Sequence, residues 1–419
     1  MLGKVMYHIF ILLYPWVARC LSISNGKARS WLRGRKNWRA ALMKEFKTNT
    51  QPVIWVHCAS LGEFEQGRPV IEKIKTQYPR YRILLTFFSP SGYAVQKNYP
   101  AADVICYLPM DSARNASVFL EIVKPALVIF VKYEFWFHYL REIRRQHIPL
   151  LLVSAVFRKQ QPFFAWYGAF YRSMLECFTH LFVQDPGSKK LLATIHVDQV
   201  TVSGDTRFDR VMEIKASYSP LPVVEKFTRH HKNILVAGST WAGDDHILSA
   251  YARQDEGCLV IVAPHEISKN RIDECLALYP APVTFSALAA HDGPVHFRTL
   301  IIDNIGMLTR LYSYATVCYV GGGFTKDGVH NVLEAAVYSK PVIIGPRYDK
   351  YAEAKDLIQA EGAFVVHDSK DVKRMGDALF LDQNKRLAAG ELAGNYVLSR
   401  TGATEKIMSF IQKNRLLTN

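Results

Sequence analysis

The sequence lacks features that define several common classes of protein. Its seven cysteines form no C-x-x-C pair and several lie in apolar runs, so we expect buried free thiols in a reducing compartment, not disulfides or a zinc framework. The histidines lack metal-ligand spacing and no D-x-D pair occurs, so no metal cofactor is expected. No G-x-S-x-G motif marks a nucleophile, which argues against a covalent mechanism.

Acidic residues are few relative to basic ones. The 419 residues include 37 Asp plus Glu against 52 Lys plus Arg, a formal net charge of +15. Such a charge favours polyanionic partners, namely nucleic acid, an anionic membrane surface or phosphorylated substrates. No nucleic-acid-binding motif occurs, so we expect no nucleic acid partner. The length and the 49% hydrophobic content predict two globular domains.

The N-terminus combines an apolar segment with a basic one. Residues Val5–Ala18 form an apolar run that is shorter than the ~20 residues needed to span a bilayer. The run after it carries one acid, Glu45, and many basic residues interleaved with tryptophans: Lys27, Arg29, Trp31, Arg33, Arg35, Lys36, Trp38, Arg39, Lys44 and Lys47. This pattern predicts an anchor in the cytoplasmic leaflet with anionic lipids as partners. A cleaved signal peptide and an ordinary core helix beside a solvated basic segment are the alternatives.

From residue 53 onward, short apolar runs alternate with helix-length segments, which predicts β-α units and parallel sheets. This alternation is interrupted at residues 211–231 and resumes after them, so that stretch is the candidate for a linker between domains. We therefore predict an α/β protein with an N-terminal segment (1–47) and two Rossmann-like doubly wound domains (48–215 and 216–419) that face each other across a cleft. Open α/β sheets bind ligands at the carboxyl ends of their strands.

One strand-to-helix turn reads Ser60-Leu61-Gly62-Glu63. Its spacing fits a capping box, in which the serine hydroxyl and the glutamate carboxylate satisfy backbone amides at a helix start. The alternative is a catalytic base at the mouth of an active site. The two roles are compatible, because the dipole of a helix start favours an ionised carboxylate.

Two glycine-bearing turns follow strands in the second half of the chain. Gly321, Gly322 and Gly323 precede a predicted helix that runs to about Ser339, and a helix start with glycines suits a phosphate. Glu334 is placed to reach a ribose hydroxyl. The turn at 238–245, with Ser239 and Thr240, has the same character. For both turns, ordinary turn or capping roles are the competing interpretation.

Three further motifs follow strands: Arg207 in the 204–209 stretch, His265 after CLVIVAP, and Glu134 in Lys132-Tyr133-Glu134-Phe135-Trp136. An isolated arginine is commonly an ion-pair partner, and aromatic residues commonly pack.

Together, the motifs CASLGEFEQGRPVIE, KYEFW, VSGDTRFD, GSTWAGDD and GGGFTKDGVHNVLEA resemble the bacterial 3-deoxy-D-manno-octulosonic acid (Kdo) transferases, in the same order over residues 53–355. The resemblance implies the glycosyltransferase-B architecture. It also implies inverting transfer of Kdo from CMP-Kdo to a lipid A precursor at the cytoplasmic face of the inner membrane, in lipopolysaccharide biosynthesis, without a cofactor.

Through the resemblance, Glu63 in the S-x-G-E motif, beside Ser60 and Gly62, corresponds to the general base. Glu134 matches the second acid of the family's E-T-E motif, whereas Lys132 replaces the first. Residues implied to bind the donor are Arg207, Ser239, Thr240, His265, Gly322, Gly323, His330, Asn331 and Glu334.

Arg207 stands where the family usually has lysine, Val332 replaces a common proline, and His265 falls at or beside a family arginine. Two alternatives remain open: another membrane-associated glycosyltransferase-B enzyme that uses a UDP-sugar, and a non-catalytic basic membrane-binding protein.

Overall fold

The computed structural model describes residues 2–418. The chain divides into two compact units: one comprises the residues up to Asp209 together with those from Gly402 onward, and the other comprises Arg210–Thr401. This division lies six residues before the predicted boundary, places the predicted 1–47 segment within the first unit and returns the C-terminal helix to it. The predicted linker at 211–231 is largely helical.

The first unit contains a seven-stranded sheet whose strand pairs are all parallel, in the order β3-β2-β1-β4-β5-β6-β7. Its strands are β1 (Val53–Cys58), β2 (Arg82–Phe87), β3 (Val104–Tyr107), β4 (Pro125–Val131), β5 (Leu150–Ala155), β6 (His180–Val183) and β7 (Val200–Val202). Its helices before the boundary are α1 (Leu2–Leu21), α2 (Gly26–Gly34), α3 (Trp38–Phe46), α4 (Leu61–Gln77), α5 (Pro90–Gln96), α6 (Ala113–Val123), α7 (Phe137–Arg145), α8 (Ala169–Leu175) and α9 (Pro186–Ala193), with a 3-10 turn at Pro162–Phe164.

The second unit also contains a seven-stranded parallel sheet, in the order β10-β11-β9-β8-β12-β13-β14. Its strands are β8 (Asn233–Thr240), β9 (Cys258–Pro264), β10 (Pro282–Thr284), β11 (Thr299–Ile301), β12 (Val317–Val320), β13 (Val342–Ile344) and β14 (Ala363–Val365). The remaining helices are α10 (Thr206–Ala216), which includes the boundary, α11 (Pro222–Thr228), α12 (Ala242–Gln254), α13 (Lys269–Leu278), α14 (Phe285–Ala289), α15 (Leu308–Leu311), α16 (Leu333–Ala336), α17 (Ala352–Gln359), α18 (Ser369–Leu381), α19 (Gln383–Leu398) and, in the first unit, α20 (Ala403–Lys413), with a 3-10 turn at Tyr312–Tyr314.

Both sheets are buried on both faces, as the continuous apolar runs predict. In β1, Val53 and Trp55 join one core cluster, while Ile54, Val56 and Cys58 join another, so alternate side chains fill opposite faces. The second of these clusters includes Ile407, Met408 and Ile411 of α20. Asp209 accepts hydrogen bonds from the backbone amides of Gly402 and Thr404 at the start of α20. Apolar packing and this cap return the C-terminal helix to the first unit.

Helix α1 packs through a narrow stripe. Tyr7, Ile11, Tyr14 and Ala18 face the unit at helical spacing, and the Tyr7 hydroxyl donates to buried Asp111. Several other apolar residues of the helix are exposed, and they include Leu12 (70% exposed) and Trp16 (64%). None of the described helices is both long and apolar enough to span a membrane.

The structure corrects two expectations, one about the basic N-terminal segment and one about the cysteines. Trp31 is buried, and the Arg35 guanidinium lies over its ring and donates to the carbonyls of Phe88 and Leu108, so both residues pack against the first unit. The thiols are free as predicted, but Cys20 is exposed and only four of the seven cysteines are fully buried.

Candidate active site

The strand orders identify one switch point in each sheet, where successive β-α units leave in opposite directions and where open α/β sheets bind ligands. In the first unit this point lies between β1 and β4, and in the second it lies between β8 and β12. Glu63 follows β1 and Glu134 follows β4. Ser239 and Thr240 end β8, and the three glycines follow β12. Topology therefore brings most of the predicted site residues to the two switch points. The exceptions are Arg207, which follows the edge strand β7, and His265, which follows β9, the neighbour of β8.

Ser60 and Glu63 interact differently from the predicted capping box. Ser60 is the N-cap of α4 in an extended conformation, but its side chain caps no backbone amide. Its hydroxyl instead donates to the Glu63 carboxylate. The capping-box prediction is wrong because the two side chains satisfy each other. Glu63 stays in the first helical turn, at the positive end of the helix dipole.

Glu134 lies in a buried polar network that the sequence reading missed. One carboxylate oxygen, Oε2, is 2.8 Å from Nε2 of His57 and 2.6 Å from Nε1 of Trp136. Nδ1 of His57 is 2.8 Å from the Thr86 hydroxyl. His57 is fully buried in β1, and a lone histidine inside the apolar run VIWVHC gives no signal other than that of a strand interior.

The two basic candidates of the first unit have local partners. Lys132 has left-handed backbone geometry (φ 70°), and its ammonium lies 5.4 Å from the centre of the Tyr133 ring. Arg207 makes two hydrogen bonds to Oδ2 of Asp205, through Nε at 2.9 Å and through a terminal nitrogen at 2.7 Å. Arg207 is thus an ion-pair partner of Asp205, as the alternative interpretation expected. Its contact with an anion of the donor remains a prediction.

In the second unit, the three glycines are required by close backbone packing. A Cβ atom at Gly321 would lie 2.4 Å from the Ser239 carbonyl oxygen, and one at Gly323 would lie 2.5 Å from Cα of Gly345. Gly322 has φ +93°, which other residues rarely adopt. The predicted helix up to Ser339 is wrong, because residues 321–332 form turns and α16 covers only Leu333–Ala336. Backbone packing therefore explains the glycines without a ligand.

Asp244 joins the two glycine-bearing turns. Its buried carboxylate accepts hydrogen bonds from the amides of Trp241 and Gly322, both at 2.9 Å, and from the Tyr319 hydroxyl at 2.7 Å. Burial raises the pKa of this carboxyl against the opposing effect of these donors. Asp244 is thus a structural acid that ties the end of β8 to the end of β12.

Three rings stack beside these turns. His265 lies 4.7 Å from Trp241 and 4.3 Å from His330, centre to centre, with nearly parallel planes. The indole Nε1 of Trp241 donates to Nε2 of His330 at 2.9 Å. Burial, followed by the nearby His265, lowers the pKa of His330 to about 4, and burial also lowers the pKa of His265. At neutral pH the stack is therefore an uncharged aromatic surface, and the exposed ring of His265 forms part of it.

The remaining second-unit candidates are polar. Thr240 is fully buried, and its hydroxyl makes no hydrogen bond within the described residues. Ser239 has left-handed geometry (φ 53°). Asn331 donates from its amide to Glu334 at 3.1 Å, and Thr309 donates to the other carboxylate oxygen of Glu334 at 3.3 Å. Among residues 2–418, no group of His, Cys, Asp or Glu side chains is arranged to bind a metal ion.

A protein-family comparison matches residues 35–210 to a family described as 3-deoxy-D-manno-octulosonic-acid transferase (kdotransferase). Over these residues the chain is similar to the Kdo transferase family. The matched region includes Ser60, Gly62, Glu63, Glu134 and Arg207. The recognition made from the ordered motifs is thereby confirmed.

Individual relatives show the same similarity. A 3-deoxy-D-manno-octulosonic acid transferase from Rickettsia bellii is 27% identical over 351 residues, which cover 80% of this chain and 81% of that protein. The corresponding transferase from Haemophilus influenzae is 23% identical, with 86% of each chain covered. A bifunctional glycosyltransferase/methyltransferase from Fusobacterium nucleatum is 24% identical over 87% of this chain, which spans 55% of that longer protein.

Solved structures share the fold of this protein. A UDP-GlcNAc 2-epimerase from Neisseria meningitidis bound to UDP-GlcNAc superposes with a TM-score of 0.59 at 16% identity, covering 87% of this chain and all of that one. MurG from Acinetobacter baumannii superposes with a TM-score of 0.54 at 14% identity, covering 86% of this chain and 99% of that one. These matches confirm the predicted fold class of two parallel-sheet α/β domains, as in glycosyltransferase-B proteins.

Proposed function

We propose that this protein transfers Kdo from CMP-Kdo to a hydroxyl of a lipid A precursor, with inversion at the anomeric carbon, as a step of lipopolysaccharide biosynthesis. The observation that carries the proposal is the position of Glu63. It lies inside the region that matches the Kdo transferase family, at the switch point of the first sheet, in the first turn of α4.

Glu63 is the proposed general base. An inverting transfer needs one base to take the proton of the attacking hydroxyl while the leaving group departs on the other side. Its carboxylate accepts a hydrogen bond from the Ser60 hydroxyl and lies in the first turn of α4. Gly62 and Glu134 are proposed to line the acceptor side.

The second unit is proposed to bind the donor through uncharged and polar groups. The exposed His265 ring offers a flat surface on which a nucleobase can stack. Thr240, whose buried hydroxyl has no hydrogen-bond partner, is proposed to lie behind this surface as part of the donor site. Glu334, oriented by Asn331, is the proposed ribose contact. Ser239, Gly322, Gly323 and His330 shape the surroundings, and Arg207 is the proposed cation for the donor anion. No metal or other cofactor is part of the proposal.

We also propose that α1 binds the cytoplasmic face of the inner membrane. Its exposed apolar residues are followed by the exposed basic residues Lys27, Arg29, Arg33 and Lys36, a combination that suits a surface of anionic lipids. Trp16→Ala is expected to weaken binding to anionic vesicles several-fold, while Leu392→Ala, an exposed apolar residue of the second unit, is expected to leave it unchanged. Equal binding by both variants would place the membrane contact elsewhere.

The direct test of the enzymatic proposal incubates the purified protein with CMP-Kdo and a lipid A precursor, and follows CMP release together with the mass of the lipid product. We expect the acceptor mass to increase by Kdo residues, with CMP released in equal amount. Transfer from a UDP-sugar but not from CMP-Kdo would show that the protein is instead a glycosyltransferase that uses a UDP-sugar. Absence of transfer from either donor would favour a non-catalytic membrane-binding role.

A further inference from the structure

The connection from β5 to α8 carries two adjacent aromatic side chains that are exposed. Trp166 is 92% exposed and Tyr167 is 54% exposed, and their rings lie 5.6 Å apart, centre to centre. Tryptophan is highly buried on average in folded proteins because its apolar surface is large. Two neighbouring aromatic residues left in water therefore indicate a surface that a partner covers.

A folded turn holds these two side chains outward. The Arg172 guanidinium donates to the carbonyls of Phe163, at 2.9 Å, and Ala165, at 3.1 Å. The amide of Gly168 donates to the Ala165 carbonyl at 2.9 Å. Phe163 itself is buried in the core of the first unit. Residues 163–168, here named the aromatic turn, thus present Trp166 from a backbone that is held by hydrogen bonds and by a buried ring.

The aromatic turn and the proposed base leave the first sheet at the same edge. Strands β1, β4 and β5 are neighbours in that order and run parallel, so their carboxyl ends lie side by side, about 4.8 Å from strand to strand. Glu63 lies in the helix that follows β1, and the aromatic turn lies in the connection that follows β5. One strand, β4, separates the two connections at this edge.

Helix α1 packs along the same edge. Its Tyr14 ring lies 5.6 Å from the ring of Phe88, the residue directly after β2, and its Tyr7 ring lies 5.7 Å from that of Phe170 in α8. Phe170 is four residues after Trp166, so the two Cα atoms are at most roughly 14 Å apart. The exposed apolar residues of α1 and the aromatic turn therefore border one edge of the sheet.

The charge of the connection indicates the chemistry of the partner. Residues 156–168 include no acidic residue, and Arg158 and Lys159 are both exposed. Tryptophan and tyrosine are enriched where a bilayer meets water, and basic residues beside them are attracted to anionic lipids. A groove in another protein would cover the two rings alone, whereas a bilayer covers the rings, the basic residues and the exposed side of α1 together. The continuity of this surface favours the bilayer.

We propose that the aromatic turn is a second membrane contact, which inserts Trp166 and Tyr167 into the headgroup layer of an anionic bilayer beside α1. With both contacts made, the edge of the sheet that carries Glu63 faces the lipid surface, so an acceptor hydroxyl reaches the base while the acyl chains stay in the bilayer. The insertion is independent of catalysis, but its consequence for the acceptor rests on the proposed function of Glu63.

The direct test measures tryptophan fluorescence with anionic vesicles that contain brominated lipids, which quench only tryptophans in contact with the bilayer. Trp16 and Trp166 are the two exposed tryptophans of residues 2–418, so the test uses Trp16→Phe, in which Trp166 alone remains exposed. Quenching is expected in Trp16→Phe and is expected to be lost in the double variant Trp16→Phe/Trp166→Phe. Equal quenching in the two variants, or none in Trp16→Phe, would overturn the proposal.

Binding to vesicles of phosphatidylglycerol and phosphatidylethanolamine gives a second measure. Trp166→Ala/Tyr167→Ala is expected to bind several-fold more weakly than wild type, with an unchanged Tm because both side chains are exposed. Leu381→Ala, which removes an 83% exposed leucine from the second unit, is the matched control and is expected to bind as wild type does. Wild-type binding by Trp166→Ala/Tyr167→Ala would contradict the insertion.

Kinetics separate this proposal from the proposed function. With a lipid A precursor embedded in vesicles, Trp166→Ala is expected to raise KM several-fold and to leave kcat unchanged. With a short-chain acceptor dispersed as monomers, its KM is expected to equal that of wild type. An equal loss with both acceptors would place Trp166 in contact with the acceptor and would overturn the membrane role. Absence of Kdo transfer by the wild type, with the quenching of Trp166 intact, would instead contradict only the proposed function.

Discussion

The two switch points of this protein have the same sheet geometry but different chemistry. In the first unit, the carboxyl ends of β1 and β4 carry carboxylates that are held by hydroxyl, imidazole and indole donors. In the second unit, the ends of β8 and β12 carry glycines, a structural acid and an uncharged ring stack. Proton transfer needs an ionised group, whereas a nucleotide needs a flat surface and hydrogen bonds. The difference supports the proposal that the base lies in the first unit and the donor nucleotide binds to the second.

The largest expected effect is the loss of turnover when the proposed base in the first unit is removed. Glu63→Gln is expected to lower turnover by about 10²–10⁴-fold, because an amide cannot take the acceptor proton. Single-turnover transfer from CMP-Kdo measures it, and Glu65→Gln on the same helix is the control. Retention of half or more of the wild-type rate would remove Glu63 from the role of base.

Asp244 tests the structural side of the second switch point. Asp244→Ala is expected to lower the free energy of unfolding by about 3 kcal/mol or more, because each buried donor left without an acceptor costs ~1–3 kcal/mol and Asp244 serves three. Denaturant unfolding measures the change, with the exposed Glu391→Ala as the control. A loss below ~1 kcal/mol would mean that the two turns do not depend on this carboxylate.

Glu334 tests the nucleotide assignment. If it binds the ribose, Glu334→Ala is expected to weaken CMP binding by roughly 1.5–3 kcal/mol, about 10–150-fold, the range for a hydrogen bond to a charged group. Calorimetric titration of CMP measures this, again with Glu391→Ala for comparison. Unchanged affinity would move the nucleotide towards the turn at 238–245.

The ring stack gives the smallest expected effect, a dependence of stability on pH. The pKa of His330 is about 4 in the folded protein, below its ordinary value of 6.5, so the unfolded chain binds more protons between these values. The free energy of unfolding is therefore expected to rise with pH from about 4 to 6.5 and then level off. His330→Gln is expected to flatten this rise, and the exposed His230→Gln is not. Identical slopes in wild type and His330→Gln would contradict an uncharged stack.

The parallel sheets could be predicted from the sequence, because short continuous apolar runs that alternate with helix-length segments are typical of strands buried on both faces. Glu63 and the glycine turns could be located because they directly follow such runs. His57 was missed, since its partners Thr86 and Glu134 are 29 and 77 residues away and only strand pairing brings them together. The capping box failed because local spacing does not determine whether a hydroxyl turns to the backbone or to a carboxylate. The short α16 and the stack of Trp241, His265 and His330 also depend on contacts between different loops.

The division of roles between the two switch points is tested most directly by the affinity of Glu63→Gln for CMP, measured by calorimetry beside the wild type and Glu334→Ala. Glu63→Gln is expected to bind CMP with the wild-type Kd, because the nucleotide contacts belong to the second unit, while Glu334→Ala binds it more weakly. A loss of about tenfold or more in Glu63→Gln, with Glu334→Ala unaffected, would place the nucleotide at the first switch point and contradict the account.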